Sequence, residues 1–146
     1  MENNSTAYRY SLSTRGILGG LFVGIATAMI GLIFDIVYRK ITGYEFAEYI
    51  NINSIIFFTI PTLVVGGIVY SLCVEFVRKG LFVYMVLCMI LTVTVAFIPL
   101  GPNMLPTGEP MPPSARGLTM GIELLTGLMG TFAIPYFARH AEVWGD

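Results

Sequence analysis

Charge is what this sequence has least of. Eight Lys or Arg and nine Asp or Glu make up 12% of its 146 residues, against about 25% in an ordinary soluble domain. The net charge of −1 provides no basic field for a phosphate backbone, so a nucleic-acid partner is excluded. There is one histidine, His140. Neither a histidine metal cluster nor a Ser–His relay can be built from it. The two cysteines, Cys73 and Cys88, form no Cys-x-x-Cys motif and sit in separate apolar stretches, so a reduced structural role is expected. No catalytic constellation, metal site or cofactor motif remains, and the chain does not read as an enzyme.

Apolar residues are abundant, at 55% of the chain. One soluble domain of this length could not bury so much apolar surface. The hydrophobic residues gather in four stretches, Gly16–Tyr38, Ile52–Val74, Gly80–Leu100 and Gly117–Ala138. Each runs for about 21–23 residues, and a helix needs about 20 to cross the hydrocarbon layer. They are apolar around the whole circumference, and lipid leaves their backbone groups no partner but one another. The alternation of a β-barrel is absent. The fold expected is therefore all-α: one integral membrane domain over residues 1–146, an up-down-up-down four-helix bundle. Ala26-Thr27-Ala28 resembles a signal-peptide cleavage site, but the apolar run continues through Phe34, so the first span is expected to be retained.

Lys and Arg near the span ends set the orientation. Arg9, Arg15, Arg78, Lys79 and Arg139 lie on one side, and Arg39, Lys40 and Arg116 on the other. That bias places both termini in the cytoplasm, and a bacterial inner membrane is the expected location. Tyr8, Tyr10, Tyr38, Tyr44, Tyr49, Tyr70, Tyr136 and Trp144 are expected at the headgroup level. The first loop can carry a short interfacial helix with Tyr44, Phe46 and Tyr49 facing lipid. The third loop, 101–116, holds Pro102, Pro106, Pro110, Pro112 and Pro113 and is expected to be irregular.

Small residues recur at helical spacing. Gly16, Gly20, Gly24 and Ala28 line one face of the first span, and Gly117 and Gly121 begin a similar face in the fourth. Such faces let backbones approach closely. They are expected to join helices one and four, or to serve as an association face for a second copy or a membrane partner. Pro61, midway through the second span, removes the bond to the Phe57 carbonyl and marks a kink or hinge. Met85 and Met89 flank Cys88 in a pattern that resembles part of a copper-uptake channel. Methionine is also an ordinary filler of apolar bundles, and four spans do not fit that architecture.

Only two charged residues, Asp35 and Glu123, lie inside the spans. A carboxylate at a helix centre costs about 2.5–3.5 kcal/mol on insertion scales, which makes each one a candidate site. Asp35 lies about 6 Å inward of Arg39 and Glu123 about 10 Å inward of Arg116 at 1.5 Å per residue. With Asn53, Thr92 and Thr94 at comparable depth, they are expected to form a polar pocket in the outer half of the bundle. The opposing structural reading pairs Asp35 with Arg39 one turn away and sets Glu123 against Thr119 or Thr126.

The glycine-rich first span, the Arg78-Lys79 turn, the proline at the end of span three and the Gly127–Pro135 stretch together resemble an uncharacterised family of small four-helix bacterial membrane proteins, a domain of unknown function. That resemblance implies topology and no activity. Small multidrug exporters share the number of helices, but here the middle of span one carries no glutamate. The functional expectation is a small polytopic protein that binds or conducts a small solute through the acidic pocket. The alternative is an accessory subunit that associates through its glycine faces.

Overall fold

The computed structural model describes residues 11–43, 50–101 and 108–140. Every element among them is helical. Ser11 caps α1 (Leu12–Thr42) by accepting from the Thr14 amide at 3.2 Å, and Gly43 ends it in a left-handed turn at φ 66°. Asn51 caps α2 (Ile52–Phe76) through a 2.9 Å bond from the Ser54 amide. A three-residue link leads to α3 (Gly80–Phe97), which closes in a 3₁₀ turn over Ile98–Leu100. The backbone is crowded at this link. The Gly80 amide donates to the Val77 carbonyl at 2.9 Å, and any Cβ at position 80 would strike the Cys73 carbonyl. The fourth span contains α4 (Pro113–Leu128), a π turn (Met129–Ala133) and α5 (Ile134–Arg139). Among the described residues, four helices are thus long and apolar enough to cross a membrane. This is a membrane protein with an all-α, four-helix architecture.

The helices outrun the apolar stretches that announced them. The first span begins at Leu12 and ends at Thr42, and the fourth runs from Pro113 to Arg139. Polar residues continue a helix into the headgroup region because its backbone is already nucleated. The expected interfacial helix with Tyr44, Phe46 and Tyr49 lies outside the described residues, as do Tyr8, Tyr10, Trp144, Pro102 and Pro106.

Close approach of backbones organises the bundle, but the partners differ from those expected. The glycine face of α1 packs on α2, not on the fourth span. A Cβ on Gly20 would collide with the Leu63 carbonyl, and one on Gly24 would lie 3.2 Å from the Ile60 Cα. Gly67 meets Gly16 and Gly20 from the α2 side. In lipid, where apolar surface gains little by leaving its solvent, such van der Waals contact is what holds two helices together. Gly117 and Gly121 do face α1, at the rings of Tyr38 and Phe34.

Two apolar clusters follow from this arrangement. One joins Val23, Leu63, Tyr70, Tyr84, Ile134 and Ala138; the other joins Ile55, Ala115, Leu118 and Ile122. Tyr70 is a correction to the expected aromatic belt. It is fully buried and stacks edge-on against Tyr84, with centroids 5.2 Å apart. Tyr136 is exposed and stacks on His140 at 4.0 Å.

Pro135 shapes the last span. In the i→i+5 pattern of the π turn, the Gly130 carbonyl would look to position 135 for a donor, and proline has none. The Tyr84 hydroxyl supplies it, donating to that carbonyl at 2.8 Å. A side chain of α3 thereby completes the backbone of the fourth span.

Candidate functional site

The two intramembrane carboxylates have different surroundings. Asp35 is buried and accepts from Arg39 Nε at 2.8 Å, one turn along α1. Arg39 also donates through Nη2 to the Ile50 carbonyl. The pair thus ties the end of α1 to the approach to α2. Asp35 lines neither of the two cavities described below.

Glu123 has no such clamp. It projects from α4 about 15 Å along the helix from Pro113, at 1.5 Å per residue, and its Oε2 is buried without a hydrogen-bond partner. Thr59 Oγ1 and Tyr70 Oη are also buried and unpartnered, but of the three only Glu123 lines the cavities described below. That space exists because α2 packs broadly on α1 while α4 leans on α3, and α2 and α4 touch only sparingly.

The gap holds two cavities. The first, of about 200 Å³, is lined by Ile50, Ser54, Ile55, Phe58, Thr119, Ile122 and Glu123. The second, of about 300 Å³, reaches from Phe58 to Val69 on α2, from Tyr84 to Val95 on α3 and from Glu123 on α4 to Gly130 in the π turn. Glu123 and Phe58 belong to both. From Ser54 to Val69 the two cavities follow α2 for about 22 Å, at 1.5 Å per residue. That is most of a hydrocarbon layer about 30 Å thick.

The hydroxyl groups along this wall have their protons engaged within the chain. Thr62 donates to the Phe58 carbonyl at 2.6 Å, Thr92 to Cys88 at 2.7 Å and Thr126 to Ile122 at 2.8 Å. In the first cavity Thr119 donates to Ala115 at 3.0 Å, and Ser54 lies 3.1 Å from Asn51 Oδ1, which can only accept. Each oxygen keeps lone pairs. Among the described residues the lining therefore consists of apolar walls, a row of acceptors, the Cys88 thiol and one carboxyl group.

Of the residues expected in one polar pocket, Glu123 and Thr92 share a cavity. Asn53 and Thr94 do not join them. Both are exposed on the outer surface, where the Thr94 hydroxyl bonds the Ile90 carbonyl at 2.8 Å. A shift of one residue on a helix turns a side chain by about 100°, so equal depth did not mean a shared face. Ser54 and Thr92 have the facing that their neighbours lack. Phe58, Thr62, Tyr84 and Cys88 were not anticipated in the wall. Thr119 and Thr126, expected beside Glu123 from their spacing on one helix, line the first and second cavities with it. Pro61 is exposed and α2 continues through it, with Thr62 bonded to the turn before it.

Cys73 and Cys88 are free thiols, both half-buried. Among the described residues no three His, Cys, Asp or Glu side chains gather as a metal site would require. No family model, curated protein or solved structure matches this chain.

Proposed function

We propose that this protein binds or conducts a small solute through the two cavities that meet at Glu123. The observation that carries the reading is the position of that side chain on the wall common to both, its buried Oε2 unpartnered. An acidic group costs several kcal/mol at this depth, and among the described residues no cation lines either cavity to offset that cost. A solute or a proton has to complete it. The positive-inside bias adds the proposal that both termini face the cytoplasm, across a bacterial inner membrane.

Cys88 lies in the wall of the larger cavity and is a native reporter for the test. With Cys73→Ala leaving it as the sole thiol, reconstituted protein is alkylated with N-ethylmaleimide in the presence of a panel of small solutes. A true occupant is expected to slow Cys88 alkylation, and Glu123→Gln is expected to remove the protection. If no solute slows the reaction and none crosses liposomes faster than through lipid alone, the reading fails.

The solute reading is supported over association by Gly20, Gly24, Gly117 and Gly121, which all meet groups of their own chain.

A further inference from the structure

The wall of the larger cavity bears on the chemistry of what occupies it. We propose that its occupant is a lipophilic amine carrying at least one N–H when protonated, and that it enters sideways from the acyl chains between α2 and α3. This rests on the reading of the Glu123 cavity as a solute site and goes further by naming the class and the route.

The route follows from exposure. Phe58, Val65, Leu87 and Leu91 line the cavity and are also 41–56% exposed on the outer surface. All are apolar, and they belong to helices that span the membrane. The mouth between them therefore opens to hydrocarbon, which supplies apolar molecules and withholds ions with full hydration shells. The volume of about 300 Å³ is at the lower end for sites of drug-sized ligands and equals the liquid share of about ten waters.

The class follows from the hydrogen-bond inventory. Thr62, Thr92, Thr126 and Tyr84 already direct their protons to main-chain carbonyls. Apart from the weak Cys88 thiol, they leave an occupant mostly acceptors. Among the described residues, Glu123 is the only acidic side chain in either lining, and no Lys, Arg or His lines them; Tyr84 and Cys88 are the other titratable groups of the wall. With Glu123 ionised, a group that donates and carries positive charge satisfies this site, and an anion or a pure acceptor does not. A carboxylate–ammonium bond is charge-assisted and stronger than a neutral one. Phe58, common to both cavities with Glu123, adds a ring of the kind that attracts cations. The bound pair holds one proton between the amine nitrogen and the carboxyl, and no bond other than N–H or O–H changes.

The test uses full-length protein in phosphatidylcholine nanodiscs, with empty discs as the background. Three radiolabelled probes share one arylalkyl body. One ends in a dimethylamine, one in a trimethylammonium and one in a neutral isopropyl group. Saturable binding of the dimethylamine is expected, at least tenfold tighter than that of either analogue. Glu123→Gln should weaken it at least tenfold. Val65→Trp, at an exposed position in the mouth, should slow its association at least fivefold. Equal binding of the amine and the isopropyl probe, unchanged by Glu123→Gln, overturns the amine assignment. Equal binding of the trimethylammonium probe overturns the need for N–H, and an unchanged association rate in Val65→Trp overturns the lateral route. Absence of saturable amine binding, with Cys88 still protected by some other solute, refutes this inference and leaves the cavity's role as a solute site standing.

Discussion

Adding a single methyl group to α1 tests the packing of the whole bundle. At Gly20 a Cβ would fall against the Leu63 carbonyl and 3.2 Å from the Gly67 Cα and N. Restoring a normal separation of about 3.5 Å from that oxygen requires the two helices to part by about 1 Å. A gap of that size forfeits roughly a quarter to a half of each van der Waals well along the seam, and the seam is the principal contact α1 makes. Overpacking of this kind costs typically 1–3 kcal/mol, against about 0.5–1 kcal/mol gained by replacing a helical glycine with alanine. Gly20→Ala is therefore expected to destabilise by about 1–2 kcal/mol. Gly24→Ala, with its nearest atom at 3.2 Å, should fall near neutrality. Gly19→Ala meets nothing closer than 3.8 Å and should retain the helical gain. The three are compared by unfolding in mixed detergent micelles over a range of protein concentrations. The order Gly20 below Gly24 below Gly19, independent of dilution, is the expected result. A Gly20→Ala protein as stable as the parent refutes the packing argument. A deficit that grows on dilution would place the glycine face between copies of the chain instead.

Tyr84→Phe removes the donor that completes the Gly130 carbonyl, and Pro135 offers no replacement. A loss of about 1–3 kcal/mol is expected for a buried acceptor left unpaired; thermal unfolding in detergent at the parent's midpoint would show that the π turn needs no help. Asp35→Asn keeps an acceptor but removes the charge that pairs with Arg39. It should cost about 1–2 kcal/mol, the lower part of the range for charged hydrogen bonds because Arg39 is partly exposed. The same variant should leave Cys88 protection by solutes intact, and loss of that protection would place Asp35 at the site.

The sequence and the structure part company where helix faces matter. The depth of Glu123 was legible, because hydrophobic run length and a rise of 1.5 Å per residue locate any residue along the membrane normal. The Asp35–Arg39 pair was legible as a local relation one turn apart. The company Glu123 keeps was not. Asn53 and Thr94 have suitable depth and the wrong azimuth. Tyr70 reads as a belt residue near a helix end and is instead buried against Tyr84.

Scarce charge in long apolar runs was enough to establish four membrane-spanning helices, their approximate ends and the two acids within them. Those properties follow from transfer into hydrocarbon, which each helix experiences alone. Only the tertiary structure decided that the glycine face of α1 meets α2, that Tyr84 completes the Gly130 carbonyl and that Glu123 faces two cavities while Asp35 is clamped. Spans that are apolar all round carry no stripe to show which side turns inward. Shape complementarity between helices makes that choice in lipid, and it exists only once the helices have met.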